Sequence, residues 1–209
     1  MQMTFDRYVS RIAITLSQFT LLQRGDSIFD RYSEPYIVSF AIDASNVGEN
    51  TLSFNFMPFP KVHPGSTITM LGDGHLLYGP TNPGEFVALS LLLMESDKDM
   101  RETGDNIRQL VSGKAADLGL KAVMLANPGS AAIVSLLKEL TAFTAGRLAR
   151  DGDDELFRTE GSFLRDQPNP YHINRSYKQR NDFIELELRI ISLDVPNGEG
   201  AAPQTMKLD

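Results

Sequence analysis

The sequence predicts a mainly β fold: an antiparallel β-sandwich with an α-helical block inserted between late strands. Three observations predict it. Apolar residues recur at every second position through most of the first 95 or so residues. The apolar period then lengthens to that of a helix between about residues 102 and 150. Period two returns after Asp151. Strands interrupted once by helices fit a sandwich with an insertion better than alternating βαβ units.

The elements follow in order. Ile12, Ile14 and Leu16 alternate with small or polar residues, and the phase then slips so that Phe19 and Leu21 continue the apolar face, which predicts a bulge. Tyr36, Val38, Phe40 and Ile42 make a second run. Leu52, Phe54 and Phe56 make a third, closed by Pro58 and Pro60. Residues 66–79 read as a fourth strand, or as a hairpin turned at Gly72-Asp73-Gly74. Phe86 to Met94 is apolar on both faces, as a central strand requires. Ile107, Leu110, Val111 and Leu118 then fall at helical spacing. So do Ile133, Leu136, Leu137, Leu140 and Leu148, with Phe143 beside them. Asn127 and Pro128 supply a cap and a first-turn proline for that second helix. Leu156 to Leu164 reads as a strand. Ile184, Leu186, Leu188 and Ile190, alternating with Glu185, Glu187 and Arg189, give the clearest half-buried one. The expectation is one domain over residues 1–195, with about five strands before the block and about two after it. A flexible tail, rich in Gly and Pro, is expected over 196–209.

Composition narrows the function. The 209 residues carry a net charge of -7 and no cysteine. Disulfides, thiolate metal sites and a cysteine nucleophile are therefore excluded. No dense basic stripe marks a nucleic-acid interface; Arg175 to Arg180, the nearest to one, reads as a solvated loop. No signal peptide or transmembrane run is recognisable, so a cytoplasmic or particle-associated protein is expected. No phosphate loop or nucleophile elbow is present, and the three histidines show no ligand spacing. An enzyme is not expected.

Three acidic clusters stand out. Asp26 and Asp30 follow the first strand. Glu95, Asp97 and Asp99 end the fifth. Asp151, Asp153 and Asp154 precede the sixth. Consecutive antiparallel strands reverse direction, so the loops after strands one, three and five share one end. If the helices loop out, their two flanks meet at that same end. Carboxylates held together repel unless a cation joins them. Calcium, which takes six to eight oxygens in flexible geometry, suits loop carboxylates better than zinc does. Turn and cap chemistry accounts for any one cluster taken alone.

On these residues the chain resembles the membrane-targeting C-two domains of synaptotagmin and protein kinase C. The stretch from Asp26 to Tyr36 (DSIFDRYSEPY) is similar to that family's first calcium loop running into a Ser-Asp-Pro-Tyr motif, with Glu34 in place of the motif's aspartate. Leu91 to Asp99 is similar to its strand ending in Asp-x-Asp. Asp153 to Phe157 is similar to the segment that follows, although here about fifty residues intervene and the glycine after Phe157 is missing. A rival alignment through Asp97, Asp99 and Asp105 avoids the insertion, but places Ile107 on a strand against its helical spacing.

The resemblance implies calcium ligands at Asp26 or Asp30, at Asp97 and Asp99, and at Asp153 or Asp154. It also implies docking to phospholipid, with Ile28 and Phe29 at the tip of the first loop as the membrane or partner contact. The expected function is a calcium-binding module that docks a membrane or a protein partner. The alternative is a structural or assembly subunit of a bacterial or viral particle, self-associating or bound to protein, in which calcium only stiffens loops.

Overall fold

A computed structural model describes residues 5–23, 33–49, 51–59, 61–96, 103–126, 128–193 and 204–208. The chain is mainly β, with 45% strand and 28% helix, and its strands form two antiparallel sheets. The first sheet holds β1 (Ile12–Leu21), β4 (Thr67–Thr69), β5 (His75–Thr81), β8 (Arg175–Arg180) and β9 (Ile184–Ser192). Its order is β4-β1-β9-β8, with β5 also on β1. The second holds β2 (Pro35–Asp43), β3 (Thr51–Pro58), β6 (Phe86–Glu95), β7 (Asp154–Leu164) and β10 (Gln204–Lys207), ordered β10-β3-β2-β6-β7. The helices are α1 (Ala44–Glu49), α2 (Thr103–Asp117), α3 (Leu120–Leu125) and α4 (Ser130–Arg150). Among the described residues, no helix is long and apolar enough to cross a membrane.

Strands β2 and β6 explain the layering. Every residue of both is buried. Successive side chains on a strand point to opposite faces, so each strand serves two cores. Ile37 and Ala41 of β2, with Val87, Leu89, Leu91 and Leu93 of β6, face the first sheet and meet Leu16, Leu186 and Leu188. Tyr36, Val38 and Phe40, with Leu92 and Met94, face the other way and meet Ile107, Val111, Ile133, Leu137 and Leu140 of the helices. The result is three layers: sheet, sheet and helices. The helical block therefore lies flat on the outer face of the second sheet. A hydroxyl pair pins it there. Ser90 and Thr141 sit 2.6 Å apart, and Thr141 Oγ1 donates to the Leu137 carbonyl at 2.7 Å.

Several expectations hold in detail. The phase slip in β1 is a bulge: Leu16 pairs with Leu188 and Gln18 with Glu187, leaving Ser17 extra, and its hydroxyl donates to the Glu187 carbonyl at 3.0 Å. Ile107, Val111, Ile133, Leu137, Leu140 and Leu148 are buried as their spacing predicts. Phe143 is not; it lies exposed under the Lys114 ammonium, 5.0 Å from its ring centre.

Other details differ. Residues 66–79 contain two strands, β4 and β5, and each pairs with β1 at a different place, so Gly72-Asp73-Gly74 interrupts an edge rather than turning a hairpin. Arg175 to Arg180 is the edge strand β8 and no loop, because Lys178 and Arg180 reach across to Glu187 and Glu185 on β9. Helix α4 starts at Ser130 with Gly129 at its cap, two residues beyond the expected proline. Within the tail, Gln204–Lys207 pairs with β3, and Met206 and Leu208 are buried in the core beneath the helices.

Glycine is required where β5 crosses β1. Gly79 has φ +86°, and a Cβ there would stand 2.3 Å from the Ile12 carbonyl oxygen. Gly113, inside α2, has open space around it. Urea denaturation is expected to show Gly79→Ala losing about 2–4 kcal/mol, since strain and a backbone clash combine. Gly113→Ala is expected to gain about 0.5–1 kcal/mol from helix propensity. A neutral Gly79→Ala would contradict this account of the β1–β5 contact.

Candidate functional site

The connections after β1, β3 and β6 meet at one end of the sandwich, and backbone hydrogen bonds tie them together. Gly65 N–H donates to the Leu21 carbonyl at 2.7 Å. Ser33 and Val62 exchange two bonds of 2.8 Å. Phe59 N–H donates to Pro35 at 2.8 Å, and Ser96 N–H to Glu34 at 3.2 Å. Glu95 pairs with both Pro35 and Asp154, so the chain leaves for the helical block and returns from it on neighbouring strands.

The acidic triplet on the return has a local reason. Asp151-Gly152-Asp153 is a helix stop. Gly152 takes φ +106°, its N–H bonds Ala149 at 3.3 Å, and the Asp153 N–H bonds Leu148 at 3.1 Å. That is the Schellman pattern, which needs glycine just past the helix. It leaves the Asp153 side chain beneath the end of α4, only 6% exposed.

Asp153 is built into the interior. The fully buried Tyr36 donates its hydroxyl to Oδ2 at 2.5 Å, and Ser96 Oγ lies 3.5 Å from Oδ1. Burial first, then the hydrogen bond and charge of Asp153, push the Tyr36 phenol far above its ordinary range, so it stays a donor. A hydrogen bond to a charged group contributes on the order of 1.5–3 kcal/mol. Asp154 is half-buried beside Glu95. Asp26, Ile28, Phe29, Asp30, Asp97 and Asp99 lie outside the described residues. Among the described residues, no three acids or histidines are grouped to hold a metal ion. Of the acids predicted as ligands, Asp153 converges with a phenol and a serine hydroxyl.

Between α2 and α4, at the same end, lies a groove of about 550 Å³. Ile107, Leu110 and Leu148 supply apolar lining, and Ser96 and Asp153 polar lining. Arg147 and Asp151, an ion pair at 3.9 Å with both side chains about half exposed, line it as well.

Two further buried polar groups lie elsewhere in the sandwich. Asp43, at the far end of β2, caps α1 reciprocally: the Asn46 N–H donates to Asp43 Oδ1 at 2.6 Å, and the Asp43 N–H to Asn46 Oδ1 at 3.1 Å. Ser45 and the buried Tyr78 hydroxyl also donate to its carboxylate. Burial raises the Asp43 pKa above its ordinary value, and these donors hold it back. His75, on β5, is 2% exposed and faces Asn55 of β3, with Nε2 3.0 Å from the amide nitrogen. Sequence reasoning missed Tyr36, Ser96, Asp43 and Tyr78 as polar partners. Only Asp43 carries a local signal, an aspartate three residues before an asparagine at a helix start.

No protein-family model matches the chain, and no curated protein matches it.

Burial lowers the His75 pKa from 6.5. The unfolded chain therefore takes up the proton first as pH falls. Stability from the neutral ring is complete above about pH 6.5 and is lost as pH drops through the folded value. From about pH 7 down to pH 5, the stability of the wild type to denaturant is expected to fall off more steeply than that of His75→Gln. Parallel curves would contradict burial of a neutral imidazole.

Proposed function

We propose that this chain is a calcium-binding module that docks a membrane or protein partner through the end of the sandwich where β1, β3 and β6 finish. The observation that carries the reading is the hydrogen-bonded convergence of those three connections. It brings the flanks of the Asp26–Asp30 and Asp97–Asp99 segments against Glu95 and Asp153. The helical block favours it too, because it packs on the outer sheet face.

In this reading Asp97 and Asp99, with Asp26 or Asp30, hold the ion. Asp153, with Oδ2 bonded by Tyr36 and Oδ1 facing Ser96, is one further candidate, and Asp154 is its neighbour. Calcium would supply positive charge that joins the acidic loops and makes the end attractive to anionic headgroups. Ile28 and Phe29 would then enter the interface.

Calorimetric titration with calcium is expected to show a saturable site. A concentration 100-fold above Kd should raise the melting temperature by roughly 5–10 °C. The double variant Asp97→Asn, Asp99→Asn should lose both effects. Sedimentation with vesicles containing phosphatidylserine should require calcium. No heat and an unchanged melting temperature at millimolar calcium would overturn the reading and leave a structural subunit in its place.

A further inference from the structure

We propose that His75 is an acid-sensitive latch between the two sheets: its neutral ring holds the first half of β5 against β3, and its protonation lets that half of the strand open while the rest of the sandwich stays folded. One side chain forms the tie. The Asn55 amide nitrogen donates to the Leu76 carbonyl and lies 3.0 Å from His75 Nε2. Asn55 sits on β3 in the second sheet, and His75 and Leu76 sit on β5 in the first. A carbonyl can only accept, so the bond to Leu76 fixes which end of the Asn55 amide is its NH2 group. Nε2 therefore accepts from that group, and the proton of the neutral ring sits on Nδ1. Protonation places a second N–H on Nε2, facing the amide that bonds it. Donor then opposes donor, and the tie breaks.

The surroundings do not compensate the new charge. His75 is 2% exposed, and its Nδ1 already lacks a hydrogen-bond partner. Strands β1, β3 and β4 carry no charged residue. On β2 the titratable groups are Tyr36, which faces the helices, and Asp43, which is taken up at the far end by Tyr78, Ser45 and Asn46. Tyr78 is the other titratable group on β5, and Asp73, in the turn before it, is exposed. Burial accordingly favours the neutral ring. The opening also has a limit. Among the described residues β5 pairs with β1 alone, so it is an edge strand that can leave without breaking a second ladder. Its other end stays tied to β2 through Tyr78 and Asp43, since a carboxyl accepts from a phenol in either protonation state. Release is therefore confined to His75, Leu76 and Leu77.

The test is amide hydrogen exchange by NMR between pH 7.5 and pH 5, in EDTA and at low concentrations of denaturant, with each rate divided by that of the unfolded amide at the same pH. Protection at His75, Leu76 and Leu77 is expected to fall about tenfold, because opening frees a ring whose ordinary pKa is about 6.5. At pH 5 these amides should exchange with almost no dependence on denaturant, the mark of a small local opening, and at least about tenfold faster than Val38 and Leu188. His75→Gln, which does not titrate, should remove the pH dependence at all three. A further readout needs no variant: the ring nitrogen shifts of the wild type at pH 7.5 should place the proton on Nδ1. Exchange of the three amides along the same denaturant isotherm as Val38 and Leu188 at pH 5 would overturn the latch. So would unchanged protection, a proton on Nε2 at pH 7.5, or a pH dependence that persists in a folded His75→Gln variant.

Discussion

The structure depends on one sheet being covered on both faces. Strands β2 and β6 have no solvent side, and their alternating residues feed two different cores. A buried strand must also satisfy its backbone, and both do so with ladders on either edge, β3 with β2 and β7 with β6. Were the helical block absent, Tyr36, Val38, Phe40, Leu92 and Met94 would face water. Each large apolar side chain so exposed costs about 1.5–3 kcal/mol. The block is thus the third layer and closes the second of the two cores, although it enters the sequence as an insertion.

That constraint also shapes the candidate site. Because α4 must run along the outer sheet face and then hand the chain to β7, the helix has to stop abruptly beside β6. Gly152 provides the stop, and Asp153 is delivered to the buried phenol of Tyr36. The pair joins the end of the sandwich to the helix-facing core, since Tyr36 belongs to that core and packs against Phe56 at 5.5 Å. The groove between α2 and α4 follows from the same arrangement. Helix α4 lies along β6 and β7 and α2 packs against α4, and the groove between them opens beside Ser96, just past the end of β6.

Much of the fold is legible in the sequence, and the reasons for the rest are physical. The bulge at Ser17, the helical spacing from Ile107 to Leu148 and the alternation from Ile184 to Ile190 each announce themselves, because one face is buried and the other is not. Two-sided burial of β2 is also written there, in the lack of any charged side chain from Pro35 to Ile42, although the period-two run from Tyr36 draws attention to one face alone. Strand β8 hides because its exposed lysine and arginine answer glutamates on β9, a pairing that only the tertiary fold creates. Strand β10 hides because four residues in a Gly- and Pro-rich tail carry too little pattern. At the site, Asp153 attracts notice as an acid among acids, yet its decisive partner, Tyr36, lies 117 positions away and reads as an ordinary core residue.

Because β2 and β6 contribute to both cores, helices and sheets are expected to unfold as one cooperative unit. Native-state hydrogen exchange at increasing denaturant tests it most directly. Amides of α4 at Leu137 and Leu140 should merge with those of Val38 and Leu92 into a single unfolding isotherm at the global free energy. Exchange of α4 through a separate opening, several kcal/mol below the sheets, would contradict it and return the helices to the status of an appendage.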